Sequence, residues 1–136
     1  RGLGDVYKRQ EIDFTWQYYT LQKIRFDDRI ELTSAIDPAL RNWRIPSMSL
    51  QTLVENAVKH NSITGGNPLH IRIRTEGESF LIENNYTPRS DGDKESLGMG
   101  LERIRSVYRF YTEENISISV GAGTFRCRLP LLPPEK

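Results

Sequence analysis

Two segments of strict alternation constrain this chain more than anything else in it. In the first, Leu69, Ile71 and Ile73 alternate with His70, Arg72 and Arg74, and Phe80-Leu81-Ile82 follows after Glu76-Gly77-Glu78. In the second, Ile116, Ile118 and Val120 face Phe125, Cys127 and Leu129 across the turn Gly121-Ala122-Gly123. A period of two marks half-buried strands, and short turns between them make each segment a hairpin. Residues 29–36 alternate less cleanly through Ile30 and Leu32 and read as a further strand, closed by the turn Asp37-Pro38.

Three stretches carry apolar residues at helical spacing. Ile12, Trp16, Tyr19, Lys23 and Phe26 recur at steps of three and four within residues 11–28. Met48, Leu50, Leu53, Val54, Ala57 and Val58 do so after Pro46, and Pro46 with Ser47 and Ser49 predicts a helix start. That helix has to stop near Asn61, before Gly65-Gly66-Asn67-Pro68. Leu101, Ile104, Val107, Tyr108 and Tyr111 form the third stripe, after a polar stretch over residues 85–97 that predicts a surface loop. Helices interleaved with two hairpins predict an α/β (α+β) sandwich, a mixed, mostly antiparallel sheet covered on one face by helices. A purely parallel doubly wound sheet does not fit.

The chain has 136 residues, enough for one domain with its own core. It has no apolar run near the roughly 18 residues of a membrane-spanning helix, and no signal-peptide layout at its start. Its single cysteine, Cys127, can form neither an internal disulfide nor a thiolate metal cage, so any chemistry rests on oxygen, nitrogen or a cofactor, and a reducing compartment fits. The stretch Asp5-Val6-Tyr7-Lys8-Arg9-Gln10 resembles a translated sequencing adapter, so residues 1–10 are read as foreign to the natural protein. They hold three of the 19 basic and one of the 18 acidic side chains, leaving 16 and 17. The slight basicity vanishes, and with it any electrostatic case for nucleic acid.

Four elements can carry chemistry. Asn56, Lys59 and His60 stand at i, i+3 and i+4 in Leu53-Val-Glu55-Asn-Ala-Val-Lys-His60, one polar side of an otherwise apolar helix. An amide oxygen, an ammonium and an imidazole gathered there suit a hydrated Mg²⁺ and its phosphates. Gly98-Met99-Gly100-Leu101 is read as opening the third helix, where glycines let backbone N–H groups approach phosphate oxygens. Asn84 and Asn85 end a strand and can accept a hydrogen bond from an exocyclic amine, and Thr124, in the last hairpin, can bond a base or a bridging water. Each has a plain structural reading too: a solvated helix face, a loop-to-helix joint, or ordinary turns.

Taken in this order, the elements resemble a family. The stretch from Ile45 to His60 is similar to the N box of sensor histidine kinases of the LytS type, Gly98 to Leu101 to their G2 box, and Gly121 to Thr124 with Leu129-Pro130 to their closing hairpin. Gln22 to Phe26 is similar to the segment leading into their ATP domain. The resemblance implies the Bergerat fold and ATP in a pocket under a lid at residues 86–97. It implies Mg²⁺ held through Asn56, Lys59 and His60 facing the phosphates, backbone contacts to phosphate from Gly98 to Leu101, and Glu55 orienting or deprotonating the attacking imidazole. It also implies a histidine-bearing dimerisation hairpin upstream, with residues 11–28 as its linker helix carrying an orphaned apolar stripe. Residues 29–132 become the catalytic domain and 133–136 a tail, in the cytoplasmic part of an inner-membrane protein that forms a homodimer and passes phosphate to a response regulator. Asn84 stands where this family usually has the aspartate that reads adenine. The alternative reading is therefore a degenerate module of the same fold without productive ATP binding.

Overall fold

The computed structural model describes residues 5–25, 29–40, 42–46, 48–64, 66–87 and 94–134. The elements run β1 (Asp5–Tyr7), α1 (Lys8–Arg25), β2 (Ile30–Ala35), a 3-10 turn at Pro38–Leu40, β3 (Arg44–Pro46), α2 (Ser49–His60), β4 (Leu69–Glu76), β5 (Ser79–Asn85), α3 (Lys94–Tyr108), β6 (Ser117–Gly121) and β7 (Thr124–Pro130). Five strands form one sheet in the order β2-β4-β5-β7-β6. β2 runs parallel to β4 and every other neighbour is antiparallel. This is the expected mixed sandwich.

The period-two pattern assigns the sheet's faces. Ile30 and Leu32 of β2, Leu69, Ile71 and Ile73 of β4, Phe80 and Ile82 of β5, and Phe125, Cys127 and Leu129 of β7 are buried in one core. Leu50, Leu53, Val54, Ala57 and Val58 of α2 and Ile104 and Tyr108 of α3 join that core, so the helices cover this face. The Tyr108 hydroxyl, buried with its ring, donates to the Pro130 carbonyl at 2.8 Å and ties α3 to the end of β7. Burial also pushes the Cys127 thiol up to about 12, beyond what the Arg105 charge offsets, so this cysteine is an apolar core residue and not a nucleophile.

The opposite face carries the alternate residues and is charged. Glu83 on β5 is only 6% exposed there. Arg126 donates to its carboxylate at 2.6 Å from β7, and Arg74 approaches at 3.4 Å from β4. Burial alone would raise the Glu83 pKa, but the bond and charge of Arg126, followed by Arg74, outweigh it and hold the carboxyl below its ordinary value of 4.5. A folded-state pKa below the unfolded one stabilises the fold above pH 4.5, and that stabilisation is lost as pH falls through the folded value. Thermal unfolding followed from pH 7 to pH 3 is therefore expected to drop more steeply for the parent chain than for Glu83→Gln, which starts lower and varies less; parallel curves would remove the assignment.

Three local expectations are corrected. Pro46 does not open α2: it ends β3, paired with Asp5 of β1, and α2 begins at Ser49 after Met48 in the left-handed conformation at φ 70°. Strand pairing fixes Pro46, and the N-cap position falls to Met48 and not to a serine. The β1–β3 ribbon lies outside the sequence reading, since three-residue strands show no measurable alternation. Finally, the α1 stripe is not orphaned. Thr15 and Tyr19 are buried, Trp16 meets Tyr19 edge-on at 5.3 Å and Lys23 lies over the Tyr19 ring. Among the described residues, the exposed large apolar side chains of α1 are instead Leu21 and Ile24, 66% and 77% exposed on its other side.

Candidate functional site

Near the C-terminal half of α2, the sheet and the helix leave a narrow cleft of about 10 Å³ between them. Leu53, Asn56, Ala57, His60 and Asn61 line it from the helix side, and Asn84, Tyr86 and Phe125 from the sheet side. Helical geometry decides which polar residues of α2 reach it. At 100° per residue, Leu53, Asn56, Ala57 and His60 fall within one sector, whereas Lys59 is turned about 60° the other way from Asn56. Lys59 is exposed, and Glu55, which accepts a hydrogen bond from Gln51 Nε2 at 3.0 Å, does not line the cleft. His60 is 3% exposed and lines it. The structure thus brings Asn56 and His60 together and leaves Lys59 and Glu55 aside.

Asn56 meets α3 at its one described buried glycine. A Cβ at Gly100 would lie 3.0 Å from Asn56 Nδ2, 3.5 Å from Oδ1 and 3.6 Å from Thr52 Cγ2. Only a residue without a side chain lets the two helices approach this closely while leaving the amide undisturbed. Nδ2 of Asn56 is buried and has no hydrogen-bond partner among the described residues. Such an atom costs about 1–3 kcal/mol unless a ligand satisfies it. The amide and the glycine-rich segment therefore lie on the same side of the sheet, in contact.

That segment does not open the helix. α3 begins at Lys94, so Gly98 and Gly100 lie in its second turn, where N–H groups bond to the preceding turn, and the free N–H groups belong to the first four residues instead. Lys94, Glu95 and Leu97 are good helix formers, and glycine costs only about 1 kcal/mol within a helix, which explains the earlier start. Leu101 packs partly against the core. The side chain of Met99 and residues 88–93 of the expected lid lie outside the described residues, while residues 94–97, read as loop and lid, belong to α3.

The end of β5 splits the two asparagines between faces. Asn84 is 3% exposed and points into the cleft. Its Nδ2 donates to the Asn85 carbonyl at 2.8 Å. A carbonyl only accepts, so this bond fixes the amide's orientation and turns Oδ1 the other way as an acceptor. Asn85 faces the opposite side: its Oδ1 accepts from His70 N at 2.7 Å and its Nδ2 donates to Pro68 O at 2.8 Å, a clip across the start of β4. Thr124 pairs with Asn85 in the sheet and does not line the cleft. Asn85 and Thr124 are thus structural in this arrangement, because alternation sends their side chains away from the cleft.

Asn61, Tyr86 and Phe125 line the cleft without having been singled out from sequence. Phe125 reads as core in the alternating strand. Tyr86 sits in the polar stretch after β5, with its ring 5.9 Å from that of Phe125. Only the position of Asn61, immediately after the predicted helix, was a signal.

For a divalent cation, the cleft lining offers amide oxygens, that of Asn56 on the side next to Gly100, and no carboxylate. No group of three His, Cys, Asp or Glu side chains occurs among the described residues. That donor set fits Mg²⁺, which keeps several waters and takes further oxygens from substrate phosphates, and does not fit a cage for Zn²⁺ or Ca²⁺. Asn56 suits such a site chemically, since Oδ1 can face the cation while Nδ2 donates to a phosphate oxygen.

This sandwich, with its cleft between one helix and the sheet, is the fold of histidine kinase catalytic domains. The catalytic domain of histidine kinase ThkA matches 98% of this chain and 99% of its own at a TM-score of 0.62 with 15% identity. The same kinase in complex with the response regulator protein TrrA matches at a TM-score of 0.56. No family model matches the sequence. The sensor histidine kinase BtsS of Escherichia coli K12 is 32% identical over 116 residues, which cover 80% of this chain and 20% of that protein. The sensor histidine kinase YesM of Bacillus subtilis 168 is 31% identical over 121 residues, covering 83% and 19%. The chain belongs to the sensor histidine kinases and spans about a fifth of the length of these curated relatives.

Proposed function

We propose that this chain is the ATP-binding catalytic domain of a LytS-type sensor histidine kinase, transferring the γ-phosphoryl group of Mg-ATP to a histidine on another domain of the same protein. One observation carries the reading: the Asn56 amide, whose buried nitrogen has no hydrogen-bond partner among the described residues, lies against Gly100 and lines the same cleft as the Asn84 acceptor. As it stands the cleft holds about 10 Å³, room for about one water, so a base enters it only as its walls part.

In this arrangement Asn84 Oδ1 accepts from the adenine amino group, and Tyr86, Phe125 and Leu53 enclose the ring. Asn56 holds the cation through its oxygen. Mg²⁺, when bound, neutralises charge on the transferring phosphoryl group, and the protein supplies position more than covalent chemistry. Lys59, at the exposed end of α2, lies close enough in sequence to meet outer phosphate oxygens, and Glu55 stays a candidate for orienting the acceptor imidazole. We place residues 1–10 outside the natural protein, residues 11–28 as the linker helix, and residues 29–132 as the catalytic domain of a membrane-anchored homodimer. No helix among the described residues is long and apolar enough to cross a membrane. A response regulator as the final acceptor draws support from the fold shared with ThkA, which has been seen with such a partner.

Titration with a fluorescent ATP analogue and Mg²⁺ tests the reading; absence of saturable binding at millimolar concentrations would remove it. Asn84→Asp supplies a further expected result. A carboxylate accepts the amino-group hydrogen bond with a charge-assisted component that roughly doubles its strength, so affinity for the analogue is expected to rise about tenfold. An unchanged affinity would place Asn84 away from the base.

A further inference from the structure

We infer that Asn61 is a positioning residue that sets the width of the base slot, an inference that rests on the nucleotide reading above. Asn61 is 1% exposed and stands one residue beyond α2. Its Nδ2 donates back to the Ala57 carbonyl at 2.8 Å, and its Oδ1 accepts from Thr87 N at 2.6 Å. Ser62 N donates to the Thr87 carbonyl at 2.8 Å. Asn67 Nδ2 donates to Thr87 Oγ1 at 2.7 Å and to the Ser62 carbonyl at 2.8 Å. The end of α2 and the chain leaving β5 are therefore fastened at one level by Asn61 and Asn67, and of the two only Asn61 lines the cleft.

Those two segments are the two walls of the cleft. Ala57, bonded to Asn61, lies on the helix side, and Tyr86, adjacent to Thr87, lies on the sheet side, where its N–H donates to the Gly123 carbonyl at 2.7 Å. A planar ring is held tightly only at one wall separation, because dispersion falls steeply with small gaps. The task needs a donor and an acceptor on one short planar head. Asn61 has both, aspartate lacks the donor, and alanine lacks both. Losing the clip leaves the phosphate side, at Asn56 and Gly100, unaltered.

A role in the slot predicts damage that depends on the base. Calorimetric titration of the full chain with Mg-ATP and with Mg-GTP is expected to show a preference for ATP, because Asn84 Oδ1 accepts from an amine and repels the guanine carbonyl. Asn61→Ala is expected to weaken Mg-ATP about tenfold and Mg-GTP far less, shrinking that preference. Should Asn61→Ala not fold, Asn61→Asp keeps the bond to Thr87 and loses the one to Ala57, and is expected to weaken Mg-ATP by a smaller factor with the same base dependence. Equal losses for the two nucleotides, or no loss, would overturn the role of Asn61 while leaving the nucleotide reading intact. A parent chain that binds neither nucleotide would overturn both.

Discussion

Replacing Asn56 by alanine is expected to weaken Mg-ATP binding by roughly a hundredfold, the upper end for groups that support a metal site, and to abolish the difference between titrations with and without Mg²⁺. The size of the effect follows from the donor set. Asn56 is the cleft amide that lies against Gly100, and among the described residues its buried nitrogen has no partner and no cluster of carboxylate, histidine or cysteine ligands stands ready to replace it. Asn56→Asp separates the two functions of the amide. A carboxylate still offers oxygen to a cation but has no N–H for phosphate, so it is expected to retain Mg²⁺ dependence at reduced affinity. Equal binding by the parent and Asn56→Ala would place the metal elsewhere. The fold itself should be no less stable, because the buried Asn56 nitrogen has no hydrogen-bond partner among the described residues and its removal relieves that cost.

Gly100→Val is expected to give the second largest effect. The Cβ would sit 3.0 Å from the Asn56 nitrogen, and the two methyl groups beyond it have to displace the amide, Thr52, or α3 itself. Overpacking of this kind costs about 1–3 kcal/mol. Gly100→Ala divides the consequence. Alanine raises helix propensity by about 1 kcal/mol, offsetting the tight contact, so stability should stay near that of the parent. The amide nevertheless shifts by a few tenths of an ångström, and binding of the Mg²⁺-nucleotide is expected to fall about tenfold. Thermal unfolding and the titration described above measure the two effects separately. A Gly100→Ala chain with parental affinity would show that the close approach serves helix packing alone.

Much of this was legible because it is written in short-range patterns. Alternation over Leu69–Glu76 and Thr124–Pro130 gave the strands and also their faces, since a one-residue slip would put Arg72 and Arg126 into the core. The helical spacing from Leu50 to Val58 gave α2 and its buried side. The same rules failed where the pattern was too short or where the angle mattered. Asn56, Lys59 and His60 looked like one polar group at i, i+3 and i+4, yet i+3 and i+4 diverge by 100° around a helix, and of the three only Asn56 and His60 line the cleft. Asn84 and Asn85 were both read as candidates for the base, and strand alternation sent Asn84 into the cleft and Asn85 into the clip at Pro68.

What residue order alone determined is the layer architecture and the kind of chemistry on offer: a half-buried sheet, helices to cover it, and an amide with no thiolate or carboxylate cage beside it. Tertiary structure decided which of those groups meet. Contact between Asn56 and Gly100 joins residues 44 apart in the chain, and the Asn61–Thr87 bond joins residues 26 apart. Local propensity carries no information about such pairs, because they come together only when burying the apolar faces of α2, α3 and the sheet brings their backbones to a common cleft.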